Sequence, residues 1–231
     1  MNTWKVDATK ILSRSEIGAV LADVKRRGKR RSSVNTRQNL VFFRLATCCG
    51  LRASELCGLK ISHVVTGVRR PYINVPKAIA KGRKARRVPL WWDAGTLADL
   101  ESWKAERERQ GAGPGDLFVC SQSRGSFGRR LTRQNARARY ISTCRVLGRQ
   151  RQAEITIHHG RHSFVSHALA AGRTLAEVRD AAGHGSVGTT SIYTHVATED
   201  DGAVGNIFDF GGVAPHGAAM DVCAGQANPA A

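Results

Sequence analysis

The chain holds 231 residues, of which 42% are apolar, 23% charged and 6% aromatic, a globular composition that excludes wholesale disorder and leaves room for one large domain or two small ones. Lys and Arg number 36 against 18 Asp and Glu, for a formal charge of +18 and a pI of about 10.7. No stretch approaches the ~18 uninterrupted apolar residues of a membrane span, since even Leu40 to Leu51 is broken by Arg44, and Met1 to Lys10 has no apolar core of a signal peptide, so a soluble cytoplasmic protein with no membrane partner is expected.

Residues 1–12 read as an N-terminal extension. Ser13 followed by Glu16 is a capping-box pattern, and Ile17, Val20, Leu21 and Val24 recur at helical spacing, which predicts a helix. It is expected to end in an exposed basic loop, Lys25 to Arg31. A second helix, about Arg37 to Cys49, is apolar on most faces and reads as a buried central element closed by Gly50. A short helix from about Arg52 to Leu59 follows. Three β-rich pieces, Ile61 to Val68, Tyr72 to Ala78 and Ala85 to Leu90, are separated by turn sequences and fit a small antiparallel sheet. Helical spacing resumes over Ala94 to Gln110, and Thr132 to Leu147 reads as a basic amphipathic helix. Further helices are expected at His159–Ala171, Leu175–Ala182 and Val187–Val196, with Gly172 and Gly183 as C-caps. The fold class is thus α+β, mostly helical. Residues 197–231 read as an acidic, Gly/Ala-rich tail with one apolar docking segment at 207–210.

Charge is split along the chain. Residues 1–179 hold all 36 basic side chains and 12 acidic ones, a net +24, whereas residues 180–231 hold six acidic and no basic residues. Arg outnumbers Lys 27 to 9, which favours a partner that rewards the bidentate fork of guanidinium, namely phosphate. Nucleic acid leads, with an anionic membrane surface behind it. Six cysteines at 48, 49, 57, 120, 144 and 223 show no C-x-x-C spacing and read as reduced core residues with neither zinc nor disulfides.

Four local patterns carry candidate chemistry. Gly50-Leu51-Arg52-Ala53-Ser54-Glu55 places Arg52 at a helix start beside free backbone N–H groups, a phosphate cradle, although Arg52 and Glu55 also have the spacing of a surface ion pair. Lys81-Gly82-Arg83-Lys84 lies at a hairpin tip, where an ammonium can contact phosphate or act as a general acid, or form a solvated turn. In His158-His159-Gly160-Arg161, His158 and Arg161 stand at i and i+3 on one helix face, suited to a phosphoryl group gaining charge. His158 and His162 have the i,i+4 spacing of metal ligands, yet no H-E-x-x-H pattern follows and no third ligand is near, so no metal is expected. Gly183-His184 precedes Tyr193 by nine residues. Unbroken helix would set His184 and Tyr193 about 180° apart, so their convergence needs a break, which Gly185-Ser186 supplies.

The ordered set Arg52, Lys81, His158-x-x-Arg161, Gly183-His184, Tyr193 resembles the catalytic domain of the tyrosine recombinases, the phage-integrase family, over about residues 13 to 196. The resemblance implies a site-specific DNA recombinase in which Tyr193 attacks a phosphodiester to give a 3′-phosphotyrosyl link. Arg52 and Arg161 would clamp the non-bridging oxygens, His158 would assist proton transfer, Lys81 would protonate the leaving 5′-oxygen, His184 would hydrogen-bond the phosphate and Glu55 would support Arg52. Such chemistry conserves the diester energy and needs neither metal nor ATP. Implied partners are double-stranded DNA and further copies of the chain, up to a tetramer, with Arg133, Arg137, Arg139 and Arg145 as the candidate DNA-contact set. Two alternatives remain open: a catalytically silent DNA-binding remnant of a mobile element, and a nicking and religating enzyme of the type IB topoisomerase kind. Members of the family commonly carry a helical core-binding domain ahead of this one, so the chain reads as a piece of a longer protein or as a single-domain enzyme.

Overall fold

A computed structural model describes residues 7–31, 33–185, 187–193 and 207–208. Ser13 and Glu16 form the anticipated cap, with the Ser13 amide donating to Glu16 Oε2 (2.8 Å) and the Glu16 amide to Ser13 Oγ (3.1 Å). Helix α1 spans Arg14–Arg31, so the expected basic loop at Lys25 to Arg31 is helical instead. The reason is local: Arg26 and Arg27 each reach Asp23 at 2.8 Å, one turn back, and Lys25 meets Asp99 at 3.2 Å, pairs that support a helix built from good helix formers. Residues 7–12, expected as an extension, pack onto the body, with the buried Leu12 amide donating to Ser163 Oγ at 2.8 Å.

The predicted central helix divides into α2 (Val34–Phe43) and a π-helical turn, Arg44–Cys48, every residue of which is buried. Arg44 is held inside by Asp99 (2.9 Å) and Asp93 (3.2 Å), which satisfies a charge that would otherwise be prohibitive there. Helix α3, Ala53–Leu56, is a single turn. Strands β1 (Val64–Val65), β2 (Tyr72–Val75) and β3 (Arg86–Pro89) form one antiparallel sheet in sequence order, with Val64 opposite Ile73 and Ile73 opposite Val88. The strands are shorter than expected because Ile61–His63 forms a 3-10 turn and Pro76 leaves the ladder without a donor.

Helix α4 covers Ala94–Arg109 and α5 covers Arg133–Thr143. Cys144–Leu147, expected to continue α5, tightens into a 3-10 turn, and α6 (Arg149–Glu154) follows without a sequence signal having been read there. Helices α7 (Ile157–Ala170), α8 (Leu175–Ala182) and α9 (Val187–Ser191) complete the described helices. One core gathers Phe42, Phe43 and Leu45 with Leu51, Leu56, Trp103, Phe118, Tyr140 and Phe164, and the five described cysteines are buried free thiols. Ile207 and Phe208 are buried too: the Ile207 amide donates to Trp92 O (3.3 Å), and Phe208 meets His167 edge to face at 5.7 Å. Asp209 and Phe210, the remainder of the tail, Cys223 and the predicted helical residues 194–196 lie outside the described residues.

Close approach of α7 to the π-helical turn positions the site. A Cβ on Gly160 would stand 2.7 Å from Tyr140 Oη and 2.8 Å from Thr47 Oγ1, two hydroxyls that are themselves hydrogen-bonded at 2.8 Å. Only the missing side chain lets α7 cross there, and Arg161 follows directly.

Candidate active site

Arg52 occupies the N-cap position of α3 in extended conformation, φ −72° and ψ 152°. Its amide donates to Glu55 Oε2 (2.9 Å), and its guanidinium donates to Glu55 Oε1 (3.1 Å) and to Gly183 O (3.3 Å). Glu55 is fully buried. Arg86 of β3 grips it from the other side with two bonds, 2.8 Å and 2.7 Å, and spends its third donor on Ala181 O at 2.9 Å. Burial alone would raise the Glu55 pKa, but the bonds and charge of Arg86, followed by the amide and charge of Arg52, hold it at about 2.

Arg161, 7% exposed, donates to Gly50 O at 2.8 Å and to Ala182 O. Burial, with the neighbouring guanidiniums of Arg52 and Arg86, pushes its pKa down. The last two carbonyls before His184 thus anchor one arginine each, Ala182 for Arg161 and Gly183 for Arg52. Gly183 is required here twice over. Its φ of +69° closes α8 in the left-handed region, and a Cβ would stand 2.7 Å from Arg86 Cδ.

His184, 8% exposed, has Nδ1 at 3.0 Å from Thr190 Oγ1. Burial and the charges of Arg161, Arg52 and Arg86 push its pKa down to about 4, so the ring is neutral at pH 7. When the Thr190 hydroxyl donates to Nδ1, Nε2 carries the proton and is a donor for an oxyanion. Tyr193 sits in the turn after α9, its amide donating to Thr190 O at 3.2 Å. Its ring stacks on that of His184 with centroids 6.3 Å apart, and its hydroxyl lies 2.6 Å from His162 Nδ1. Burial raises the phenol pKa against the opposing charge of Arg161.

His158 stands exposed in the first turn of α7, on the same face as Arg161. Partial desolvation and the positive charges of Arg161, Arg52, Lys81 and Arg137 lower its pKa. Lys81 is exposed at the tip joining β2 to β3, in a turn where Gly82 has φ +78°. The four α5-region arginines do not form one stripe. Arg133 and Arg137 are exposed, whereas Arg139 is half-buried and bonded to Asn39 (3.0 Å) and Asn35 (3.3 Å). Arg145 lies on the 3-10 turn, lining a cavity of about 390 Å³ with Arg26, Arg27, Arg30 and Thr36.

Arg86 and Thr190 are not among the residues that the sequence patterns single out, and His162 stands out there only by its i,i+4 spacing from His158. Arg86 had a signal: it shares the period-two inward face of β3 with Val88 and Leu90. The contacts of the other two had none: His162 meets Tyr193, 31 residues away, and Thr190 meets His184 across the break between α8 and α9.

The sequence matches the model of the phage integrase family over residues 10–200. The chain belongs to that family. It is 32% identical to the tyrosine recombinase XerC of Serratia marcescens over 160 residues, 69% of this chain and 47% of that one, and 32% identical to XerC of Herpetosiphon aurantiacus over 152 residues, 65% and 45%. The chain therefore spans less than half the length of these relatives. Among solved structures it resembles the XerH site-specific recombinase bound to its difH substrate in a pre-cleavage complex, with TM-score 0.63 and 26% identity over 83% of this chain and 51% of that one. It also resembles the XerA recombinase, with TM-score 0.63 and 23% identity over 82% and 62%. These likenesses agree with a mostly helical catalytic-domain fold carrying a small antiparallel sheet.

Proposed function

We propose that this chain is the catalytic part, about residues 13 to 196 followed by an acidic tail, of a site-specific DNA recombinase that cuts and rejoins strands through a 3′-phosphotyrosyl intermediate. The observation that carries the reading is a convergence. Arg52 and Arg161 are anchored on the adjacent carbonyls of Gly183 and Ala182, His184 follows at once, and the Tyr193 ring stacks on His184. Arg52 and Arg86 both pair with the single carboxylate Glu55, and Arg161 beside them bonds, among the described residues, only to backbone carbonyls. A phosphodiester supplies the negative charge that such a cluster lacks.

In the forward step Tyr193 Oη forms a bond to phosphorus as the bond from phosphorus to the 5′-oxygen breaks. Arg52 and Arg161 hold the non-bridging oxygens as charge builds there, and His184 donates to one of them. Lys81 gives its proton to the departing 5′-oxygen, while the Tyr193 hydroxyl proton is lost to solvent as the new bond forms, with the exposed His158 assisting the proton transfer. The tyrosyl ester keeps the energy of the broken diester, so the reverse step rejoins the strand without ATP and the chemistry needs no metal. Exchange between two duplexes calls for several copies of the chain on double-stranded DNA. Among the described residues no helix is long and apolar enough to cross a membrane.

The test uses a nicked duplex drawn from DNA flanking the gene, incubated with protein in EDTA and run on a denaturing gel. A slow-migrating adduct that disappears in Tyr193→Phe, with duplex binding retained, is the expected result. Duplex binding with no adduct from the wild-type protein points instead to a silent DNA-binding remnant.

A further inference from the structure

One imidazole outside the set assigned by resemblance touches the reacting atom. His162 follows Arg161 on α7, and its Nδ1 is 2.6 Å from Tyr193 Oη, with the two rings 5.7 Å apart and inclined at 31°. The tyrosine is held between two histidines, His184 against its face and His162 at its hydroxyl, and is 4% exposed. The charged and titratable groups around His162 are His158, His159 and Arg161 from its own helix and Lys10 from the N-terminal 3-10 turn. Half-buried among them, it has its pKa pushed down to about 4 by desolvation and these charges and is neutral at pH 7.

The direction of the bond follows from chemistry. The phenol pKa is raised, so Tyr193 carries its proton, and a phenol is a far better donor than acceptor. Nδ1 of the neutral ring is the acceptor and Nε2 carries the hydrogen. With its proton directed at His162, the Tyr193 oxygen keeps its lone pairs free.

Taking Tyr193 as the nucleophile, as proposed above, we infer that His162 is its positioning residue: Nδ1 accepts the Tyr193 hydroxyl proton in a hydrogen bond and so seats the phenol oxygen beside Arg161 with its lone pairs open to phosphorus. The role is distinct from that of His158, which stands exposed on the open side of the site.

Three variants of the full chain, His162→Phe, His162→Asn and Tyr193→Phe, are compared with wild type for single-turnover adduct formation on a nicked duplex at saturating DNA, for duplex Kd and for thermal unfolding. Phenylalanine fills the site without an acceptor; asparagine places its amide oxygen near the position of Nδ1. His162→Phe is expected to slow adduct formation about tenfold or more with Kd unchanged, as a misplaced nucleophile should, and His162→Asn to recover most of that loss. Wild-type speed in His162→Phe overturns the proposal, and so does equal slowing in both His162 variants, which would mark a packing role. The ¹⁵N shift of His162 Nδ1 reads the contact without activity: it is expected to move in Tyr193→Phe, and an unchanged shift overturns the seat. If the wild-type protein forms no adduct, the nucleophile reading fails by itself, and the ¹⁵N comparison still decides the contact.

Discussion

Glu55 is the residue on which the arginine cluster balances. It is fully buried, accepts two bonds from Arg86 and two from Arg52, and so fixes the backbone entry to α3 and the inward face of β3 at one point. Glu55→Gln keeps the shape but leaves the guanidiniums without their shared anion. Breaking a buried pair from one side typically costs about 3 to 5 kcal/mol, and a loss toward the lower end is expected because Arg52 is partly solvated, its side chain 19% exposed. Urea unfolding at pH 7 measures it. The pH dependence has a definite sign. With its pKa lowered from 4.5 to about 2, Glu55 contributes its full stabilisation above about pH 4.5 and loses it as pH falls toward 2. The gap between wild type and Glu55→Gln should therefore narrow across that window, and a constant gap would mean that Glu55 is not the ionised hub.

At the scale of elements, α7 is the piece on which site and fold meet, and its passage over the π-helical turn Arg44–Cys48 is the point of least tolerance. Ala is favoured over Gly inside a helix by about 1 kcal/mol, so Gly160→Ala would stabilise an isolated helix. Here the new Cβ meets the buried Tyr140 and Thr47 hydroxyls below 3 Å, and overpacking of this kind costs about 1 to 3 kcal/mol. The expected outcome is a lower Tm and, because Arg161 is the next residue, a slower adduct step in the fraction that remains folded; a raised Tm would show that α7 can lift without loss. The same elements show what the sequence could carry. Capping at Ser13 and Glu16, the C-cap at Gly183 and the strand alternation around Val88 are local signals, and each was legible. The π-helical turn was not, because its cause is tertiary: Arg44 is drawn inward by Asp93 and Asp99, about 50 residues along the chain. The basic end of α1 was misread for a related reason, since a run of cations looks like a solvated loop until Asp23 and Asp99 are seen beneath it. Order along the chain singled out Arg52, Arg161, His184 and Tyr193, which the fold brings together, whereas His162 stood out only by its spacing from His158, and its contact with Tyr193, 31 residues away, had no pattern to betray it.

On the scale of the whole molecule, 36 basic side chains lie within the first 179 residues and the acidic remainder follows them, so the folded body presents a strong positive field. The chain spans less than half the length of its XerC relatives, and on the proposed function this part engages a duplex through phosphate contacts. Counterion release makes each such contact visible as salt dependence, about 0.9 in the slope of log K against log salt per phosphate on duplex DNA. Arg133 and Arg137 are exposed in α5, and the charge of Arg137 is felt at His158, a member of the proposed active site. Arg139 is committed to Asn35 and Asn39 and is expected to contribute little. Replacing Arg133 and Arg137 together by Gln should therefore reduce the slope by about 2 and weaken binding across all duplex sequences. Replacing Arg139 alone should leave the slope near that of wild type. Titrations of a labelled duplex between low and moderate salt separate the two cases, and an unchanged slope in the double variant would remove the exposed face of α5 from the DNA interface.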